Sequence, residues 1–492
     1  MGLLSKIKLE AKASSIRPAE PAVPIGSKPT KKSIYESRLN VGTNFGSLFV
    51  LESFMFGDYF IDGASTELEA VRNQVKKNGV DKTRELLESH WSGYASNEDW
   101  DWLKNAGVNS IRIPLGYWHV DGGKFVSGTN FEGVKGVYSN AWKYYTDLIK
   151  KAGEYQIGIL VDLHALPYGA NAQDHSGEKL SKAGFWSSSH IAKGLEVVEF
   201  LAKELARFEN ISGLQIVNET EFDNEAKYQK LYYSNAINAI REHNGTVPIV
   251  ISDGWWPDQW VKWISSNSSK GNLGVVIDAH VYRCFSDDDK SKSADRIIDD
   301  LEGSVLTNLS AKADIMVGEF SCVLDGQTWD KTSGDRNELV KRYGKRQIEL
   351  FRQRTCGYYF WSYKFQHGDG GEWGFRAMCP NAIPQYRLKG IPSENDMQNE
   401  LNSKLNDHAN YWNSQNSNEK YEHWRYEDGF RKAYQDSVEF ANFNASQIGR
   451  KVAWTDARKA DHIKAKGNSN FVWEWEQGFE SGLAWFVSVA FD

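Results

Sequence analysis

Between Val41 and Phe365 this 492-residue chain alternates near-continuous apolar runs with segments of helical spacing, and it does so eight times. The runs are Val41 to Leu51, Ser110 to Gly116, Ile157 to Ala165, Gly213 to Glu219, Pro248 to Gly254, Gly274 to Tyr282, Ala313 to Ser321 and Gly357 to Phe365. Each reads as a strand buried on both faces, the pattern of a parallel sheet covered by helices. The segments between them, such as Ala141 to Tyr155 and Leu195 to Phe208, repeat apolar residues at the spacing of one helix face. Eight such alternations predict an α/β chain folded as a (β/α)8 TIM barrel. Length alone would count about three domains, but α/β barrels exceed about 200 residues as single units.

On this reading residues 34–380 form the barrel. Residues 1–33 hold Pro, Ala, Ser and Lys without periodicity and read as a flexible N-terminal arm. Residues 381–492 read as a helical extension packed on the barrel. Within it, Ser393 to Gln415 is polar and reads as an exposed helix or loop. Further on, Trp424-Arg-Tyr426-Glu427-Asp-Gly429-Phe430 recurs as Trp473-Glu-Trp475-Glu476-Gln-Gly478-Phe479. Two copies are too few for a solenoid, so a duplicated helical hairpin is expected, with an aromatic sugar-binding module as the alternative.

Two of the runs end in a carboxylate: Gly213-Leu-Gln-Ile-Val-Asn218-Glu219 and Ala313-Asp-Ile-Met-Val-Gly318-Glu319. In a barrel of parallel strands the C-terminal rim is where chemistry is done. Two glutamates converging across that rim are the minimum equipment for glycoside hydrolysis. Composition agrees: 13% of residues are aromatic, with 19 Trp and 22 Tyr, which suits stacking on the flat faces of sugars. A net charge of −7 and a pI near 6.0 exclude an electrostatic footprint for nucleic acid or an anionic membrane.

Cys284, Cys322, Cys356 and Cys379 are scattered without metal-ligand spacing, which points to a reduced compartment. The N-terminus lacks the apolar core and cleavage site of a secretory signal, and no run of 18 apolar residues occurs. Gly2 invites myristoylation, but Lys6 stands where Ser or Thr is needed. A cytoplasmic, non-secreted protein without a membrane span is expected, while mitochondrial targeting by the basic segment from Met1 to Arg17 stays open. Asn218-Glu219-Thr220 is itself a glycosylation sequon, which a secretory route would expose to modification.

In chain order the strand ends present Arg112 in Ile-Arg-Ile-Pro, His164 in Val-Asp-Leu-His, Asn218-Glu219, His280 and Tyr282 in Asp-Ala-His-Val-Tyr, Glu319 in Val-Gly-Glu-Phe, and Trp361 in Tyr-Phe-Trp-Ser-Tyr. This series resembles glycoside hydrolase family 5. The opening Gly42-Thr-Asn44-Phe-Gly46 with Leu51-Glu52, and Arg112-Ile-Pro-Leu-Gly-Tyr-Trp118, resemble its fungal exo-β-1,3-glucanase branch over roughly Ile34 to Trp373. The resemblance implies a retaining β-glucosidase that removes a terminal β-linked glucose, with Glu219 as acid/base and Glu319 as nucleophile. Glu319 would raise the pKa of Glu219 so that it holds a proton near neutral pH. Arg112 would donate to Glu319 or its neighbours, and Asn218 would bond the sugar 2-hydroxyl. Tyr282 would orient Glu319, Trp361 would underlie the sugar, and Glu52 would bind its distal hydroxyls. His164 and His280 are expected to hydrogen-bond around the site, with no metal and no cofactor.

The loop Gln173-Asp174-His175-Ser176-Gly177 departs from the branch, whose secreted members typically carry an aromatic and an Asn before Ser-Gly. Phe285 matches one half of their aromatic clamp for the leaving group and Gln173 does not match the other, which puts β-1,3-glucan specificity in doubt. The expected partner is therefore a β-glucoside or β-glucan substrate, with steryl or ceramide glucosides and transglycosylation as alternatives. An inactive carbohydrate-binding barrel is the remote one. Oligomeric state is open, with a monomer favoured.

Overall fold

The computed structural model describes residues 9–309 and 313–492, and the statements below concern those residues. The myristoylation reading and part of the targeting reading fall on residues 1–8, outside them. Eight parallel strands close a barrel in chain order. They are β1 Asn40–Asn44, β2 Ser110–Gly116, β3 Gly158–Ala165, β4 Ile211–Gln215, β5 Ile249–Ser252, β6 Val275–Val281, β7 Asp314–Phe320 and β8 Gly357–Phe360. β8 returns to β1 with Tyr358 opposite Val41. Helices follow as the spacing predicted, including Ala141–Glu154 and Ser188–Leu205.

Several strands are shorter than their apolar runs. The first run leaves the ladder before Ser47, whose left-handed φ of 57° no strand accommodates. β4 and β8 stop at Gln215 and Phe360, so Glu52, Glu219 and Trp361 stand just beyond strand ends.

The two-residue period of a strand stacks the barrel interior in layers. On β3 the same face carries Leu160, then Asp162, then His164; on β6 it carries Val276, then Asp278, then His280. Leu160 and Val276 join Val250, Met316, Cys356 and Tyr359 in a buried apolar plug. The layer above it is acidic, and imidazoles lie above that. β7 breaks the period deliberately: Ala279 of β6 pairs with Val317 but His280 pairs with Glu319, so Gly318 is an extra residue. A Cβ on Gly318 would lie 2.3 Å from the Asp278 carboxylate, so only glycine lets this bulge form.

The chain divides into two compact units, one of Asn40–Gln385 with the segment ending at Glu20, the other of Pro21–Leu39 with Tyr386–Asp492. The second unit contains the helices Lys31–Ser37, Glu394–Gln415, Trp424–Asn442, Lys451–Lys466 and Val472–Ala490. Its motif copies do not make two hairpins; they sit on Trp424–Asn442 and Val472–Ala490, separated by one helix and packed against each other. The backbones nearly touch where the copies meet: a Cβ on Gly429 would lie 2.2 Å from the Trp475 carbonyl oxygen, and one on Gly478 2.0 Å from that of Tyr426. Tyr426, Phe430, Trp475 and Phe479 are buried, so these aromatics pack inward. Glu394–Gln415 is a helix with only Met397, Leu401 and His408 buried.

The flexible-arm reading of residues 1–33 is corrected for the described part. Val23 is fully buried in the second unit's core with Ile34 and Trp454, because an apolar residue among polar neighbours still finds a core to enter. Ala19 and Glu20 donate backbone N–H groups to Asn272 and Gly245. Among the described residues no helix is long and apolar enough to cross a membrane.

Candidate active site

The acidic layer of the barrel is built around Arg112, which is fully buried on β2. Its guanidinium donates from Nε to Gln215 (2.9 Å), from Nη1 to Asn44 (2.8 Å) and Glu319 Oε1 (3.0 Å), and from Nη2 to Asn218 Oδ1 (2.5 Å). Nη2 also lies 3.0 Å from Asp162. Burial opposes its charge, but Asp162, Glu319 and Asp278 outweigh it and hold Arg112 more basic than usual. Glu319 receives its second donor from Tyr282, whose hydroxyl lies 2.9 Å from Oε2. Both Glu319 oxygens thus face fixed donors.

β3 and β6 share one device, Asp-x-His. His164 Nδ1 lies 2.7 Å from Asp162 Oδ2, and His280 Nε2 lies 3.2 Å from Asp278 Oδ2. A carboxylate only accepts, so each facing nitrogen donates. Asp278 also accepts from the Gly318 N–H (2.6 Å) and from Gln215 Nε2 (2.8 Å), which ties the β7 bulge to β4 and β6. Burial keeps His164 below the ordinary imidazole range despite Asp162, leaving Nε2 to accept from Asn218 Nδ2 at 3.4 Å.

Glu219 faces two imidazoles. His280 Nδ1 is 2.7 Å from Oε1, and His175 Nε2 is 3.2 Å from Oε2. Burial favours the neutral carboxyl, but the bonds from His175 and His280 prevail and hold Glu219 well below the usual carboxylate range. Both nitrogens of His280 face carboxylates. Burial is outweighed by Glu319, Asp278 and Glu219, and His280 is pushed well above the imidazole range. This overturns the expectation that Glu319 raises Glu219: in this geometry the dissociable proton rests on the His280 side of the pair. Glu219, His280 and Glu319 each bring one donor atom within 4.8 Å of the others. A cation there would compete with the two carboxylates that engage both His280 nitrogens.

These groups floor a cavity of about 940 Å³, lined also by Glu52, His164, Asn218, Tyr282, Phe285 and Trp361. Arg112 lies beneath it. Every residue singled out from the sequence is therefore brought to one place. Trp361, 4% exposed, runs parallel to His164 at 6.1 Å, and Gly46 makes room because a Cβ there would press on the indole at 3.1 Å. Burial, with Glu319, Glu219 and Asp174 adding to it and His175 opposing, pushes the Glu52 carboxyl up to about 8. The mouth is aromatic: Phe54, Trp255 and Phe285 are 57, 54 and 63% exposed, and Trp373 stands 5.8 Å from the Tyr282 ring.

Residues 74–367 match the model of cellulase, glycosyl hydrolase family 5. The chain belongs to glycosyl hydrolase family 5. As a member of that family it is a glycoside hydrolase. Residues 393–490 match the glucan 1,3-beta-glucosidase 3 C-terminal domain. An uncharacterized glycosyl hydrolase of Saccharomyces cerevisiae is 41% identical over 94% of each chain. Glucan 1,3-beta-glucosidase 3 of Schizosaccharomyces pombe is 33% identical over 92% of this chain and 96% of its own. Among solved structures, the rutinosidase of Aspergillus niger superposes with a TM-score of 0.54 at 19% identity, covering 71% of this chain and 94% of that one, a likeness of fold.

Sequence reasoning missed several residues of this family 5 site. Asp162 and Asp278 were legible, since each precedes its histidine by two on the same strand face. His175 was noted only as a departure, and nothing local announces that its loop reaches Glu219. Asn171 does so too, donating to the Glu219 carbonyl at 2.9 Å. Trp255 owes its place to Asp253, which accepts its N–H at 2.9 Å and holds a left-handed φ of 66° that turns the indole outward.

Proposed function

We propose that this glycoside hydrolase removes a terminal β-linked glucose with retention, Glu319 acting as nucleophile and Glu219 as acid/base. The observation that carries the reading is the convergence of Glu219 and Glu319 on one cavity with a carboxylate oxygen of each within 4.8 Å of the other, which accords with the about 5 Å separation of the two carboxyls in retaining enzymes. Glu319 attacks the anomeric carbon while the glycosidic oxygen takes a proton and leaves. Arg112 and Tyr282 hold the nucleophile in line and ionised. The proton comes from the Glu219–His280 pair: transfer across 2.7 Å from Nδ1 to Oε1 arms the carboxyl and leaves a neutral imidazole. Glycosylation then removes the charge of Glu319, which weakens the pull on protons nearby. Glu219, which gave up its proton in the first step, therefore stays ionised. It takes one from the incoming water as that oxygen bonds the anomeric carbon and the Glu319 ester bond breaks.

Glu52 and Trp361 bind the sugar in this reading, and the likeness to fungal glucan 1,3-beta-glucosidases supports a β-1,3-glucan as its source. A second reading is favoured by the exposed Phe54, Trp255 and Phe285 and the half-buried Trp373 at the mouth, which would stack on an apolar aglycone such as a steryl or lipid group. A cytoplasmic location fits the four free cysteines, three of them buried.

The test is proton NMR of the first-formed anomer with laminaribiose, an aryl β-glucoside and a steryl glucoside. β-Glucose first, from at least one of them, is expected; α-glucose first would overturn retention. A kcat/KM for laminaribiose at least a hundredfold above that for the steryl glucoside would dismiss the second reading.

A further inference from the structure

The loop after β3 is fastened to the segment carrying Glu219 at two levels. Asn171 bonds the Glu219 carbonyl, and its own side-chain oxygen accepts from Gln173 N (2.9 Å) and Ser176 Oγ (3.0 Å), which shapes the turn Asp174–Ser176. Gly177 closes that turn against Trp118, where a Cβ would lie 2.2 Å from the indole. The turn presents His175, with 17% of its side chain exposed, to the one Glu219 oxygen that His280 does not engage.

The orientation of the imidazole is fixed from the far side. Arg112 Nη2 donates to Asn218 Oδ1, so the Asn218 amide cannot turn over, and its Nδ2 faces His175 Nδ1 at 3.4 Å. A donor facing Nδ1 requires that nitrogen to accept, which leaves the ring proton on Nε2, toward Glu219.

Resting on the assignment of Glu219 as acid/base, we propose that His175 is a positioning residue for that step: its Nε2–H holds Glu219 Oε2 and lowers the proton affinity of the Glu219–His280 pair. Charged and titratable groups face it from the elements around it: Glu52 after β1, His164 on β3 with ring centres 5.2 Å apart, Asp174 in its own turn, Glu219 after β4 and Glu319 on β7, while His280 and Tyr282 line the same cavity. Only His175 and His280 touch the Glu219 carboxylate among the described side chains for which a bond is recorded. Removing a donor from a carboxylate makes its ionisation harder. The alkaline limb of kcat/KM, where the acid loses its proton, must then move to higher pH.

The experiment is the pH profile of kcat/KM on a glucoside with a poor leaving group for wild type, His175→Ala and His175→Gln. The alanine variant is expected to shift the alkaline limb upward by about one pH unit, while glutamine, which keeps a donor, recovers at least half of the difference. Thermal melting of each variant establishes that it is folded. A limb that stays in place in folded His175→Ala, or glutamine no better than alanine, overturns the proposal. Glu219→Gln keeps the two failures apart: if it slows poor and activated leaving groups equally, the acid assignment itself falls, whereas a selective loss on poor leaving groups leaves that assignment standing and isolates His175.

Discussion

Glu219 and Glu319 have the same side chain and are told apart by what surrounds them. Glu319 has a guanidinium on one oxygen and a phenol on the other, both fixed by burial. Glu219 has an imidazole on each. Imidazoles exchange protons near neutral pH and guanidinium does not; Glu219 has two imidazoles at 2.7 and 3.2 Å, whereas the one imidazole near Glu319, that of His280, stands at 3.5 Å, beyond the phenol that already bonds the same oxygen. Truncating Glu319, the proposed nucleophile, should therefore cost activity that a small anion restores. In Glu319→Ala, turnover is expected to fall at least about 10³-fold, and azide should restore it with an α-glycosyl azide as product, the anion entering the vacated space. Undiminished turnover without azide would reject the assignment.

At the scale of elements, glycines decide where backbones approach. Gly318 lets β7 bulge so that Glu319 and the Gly318 N–H both serve the polar layer. Gly429 and Gly478 do the same for the two motif-bearing helices, which meet with carbonyls about where a Cβ would be. Packing there cannot relax by rotating a side chain, since the obstructing atoms are backbone. Gly429→Ala is expected to destabilise the second unit by about 3 kcal/mol, the upper end of overpacking costs, and Gly390→Ala in the same unit, where a Cβ meets open space, by far less. Chemical denaturation of the two variants measures the difference; equal midpoints would refute the close-crossing argument.

For the molecule as a whole, acid sensitivity should follow from a buried carboxylate far from the chemistry in sequence. Glu474 Oε2 accepts from His408 (2.9 Å) and His423 (2.7 Å), and Oε1 from the Glu422 N–H (2.8 Å), joining three helical segments. Burial disfavours its charge, but the His408 and His423 bonds prevail and hold its pKa below the ordinary value. A carboxyl depressed on folding contributes stability above its unfolded pKa of about 4.3 and loses it as pH falls through the folded value. Melting temperature should thus drop more steeply below about pH 4 in wild type than in Glu474→Gln, which has no proton to take up. Parallel curves would count against this role.

The barrel was written in the chain itself, because eight apolar runs separated by helical spacing admit few other ways of burying both faces of every strand. So were the two glutamates, the Asp-x-His pairs and the glycines of the duplicated motif, since strand period and close approach act on neighbours along the backbone. The described N-terminal residues were misread for the opposite reason: Val23 has no local pattern, and its burial depends on a core assembled from residues more than four hundred positions later. His175 and the aromatic mouth likewise depend on loops meeting across the rim. Above all, tertiary structure placed the proton. The strand-end pattern put two carboxylates on one rim, and the roles the family resemblance implied called for a raised pKa, but the direction was set by two imidazoles converging from β6 and from the loop after β3, and electrostatics at about 3 Å outweighs any pattern in sequence.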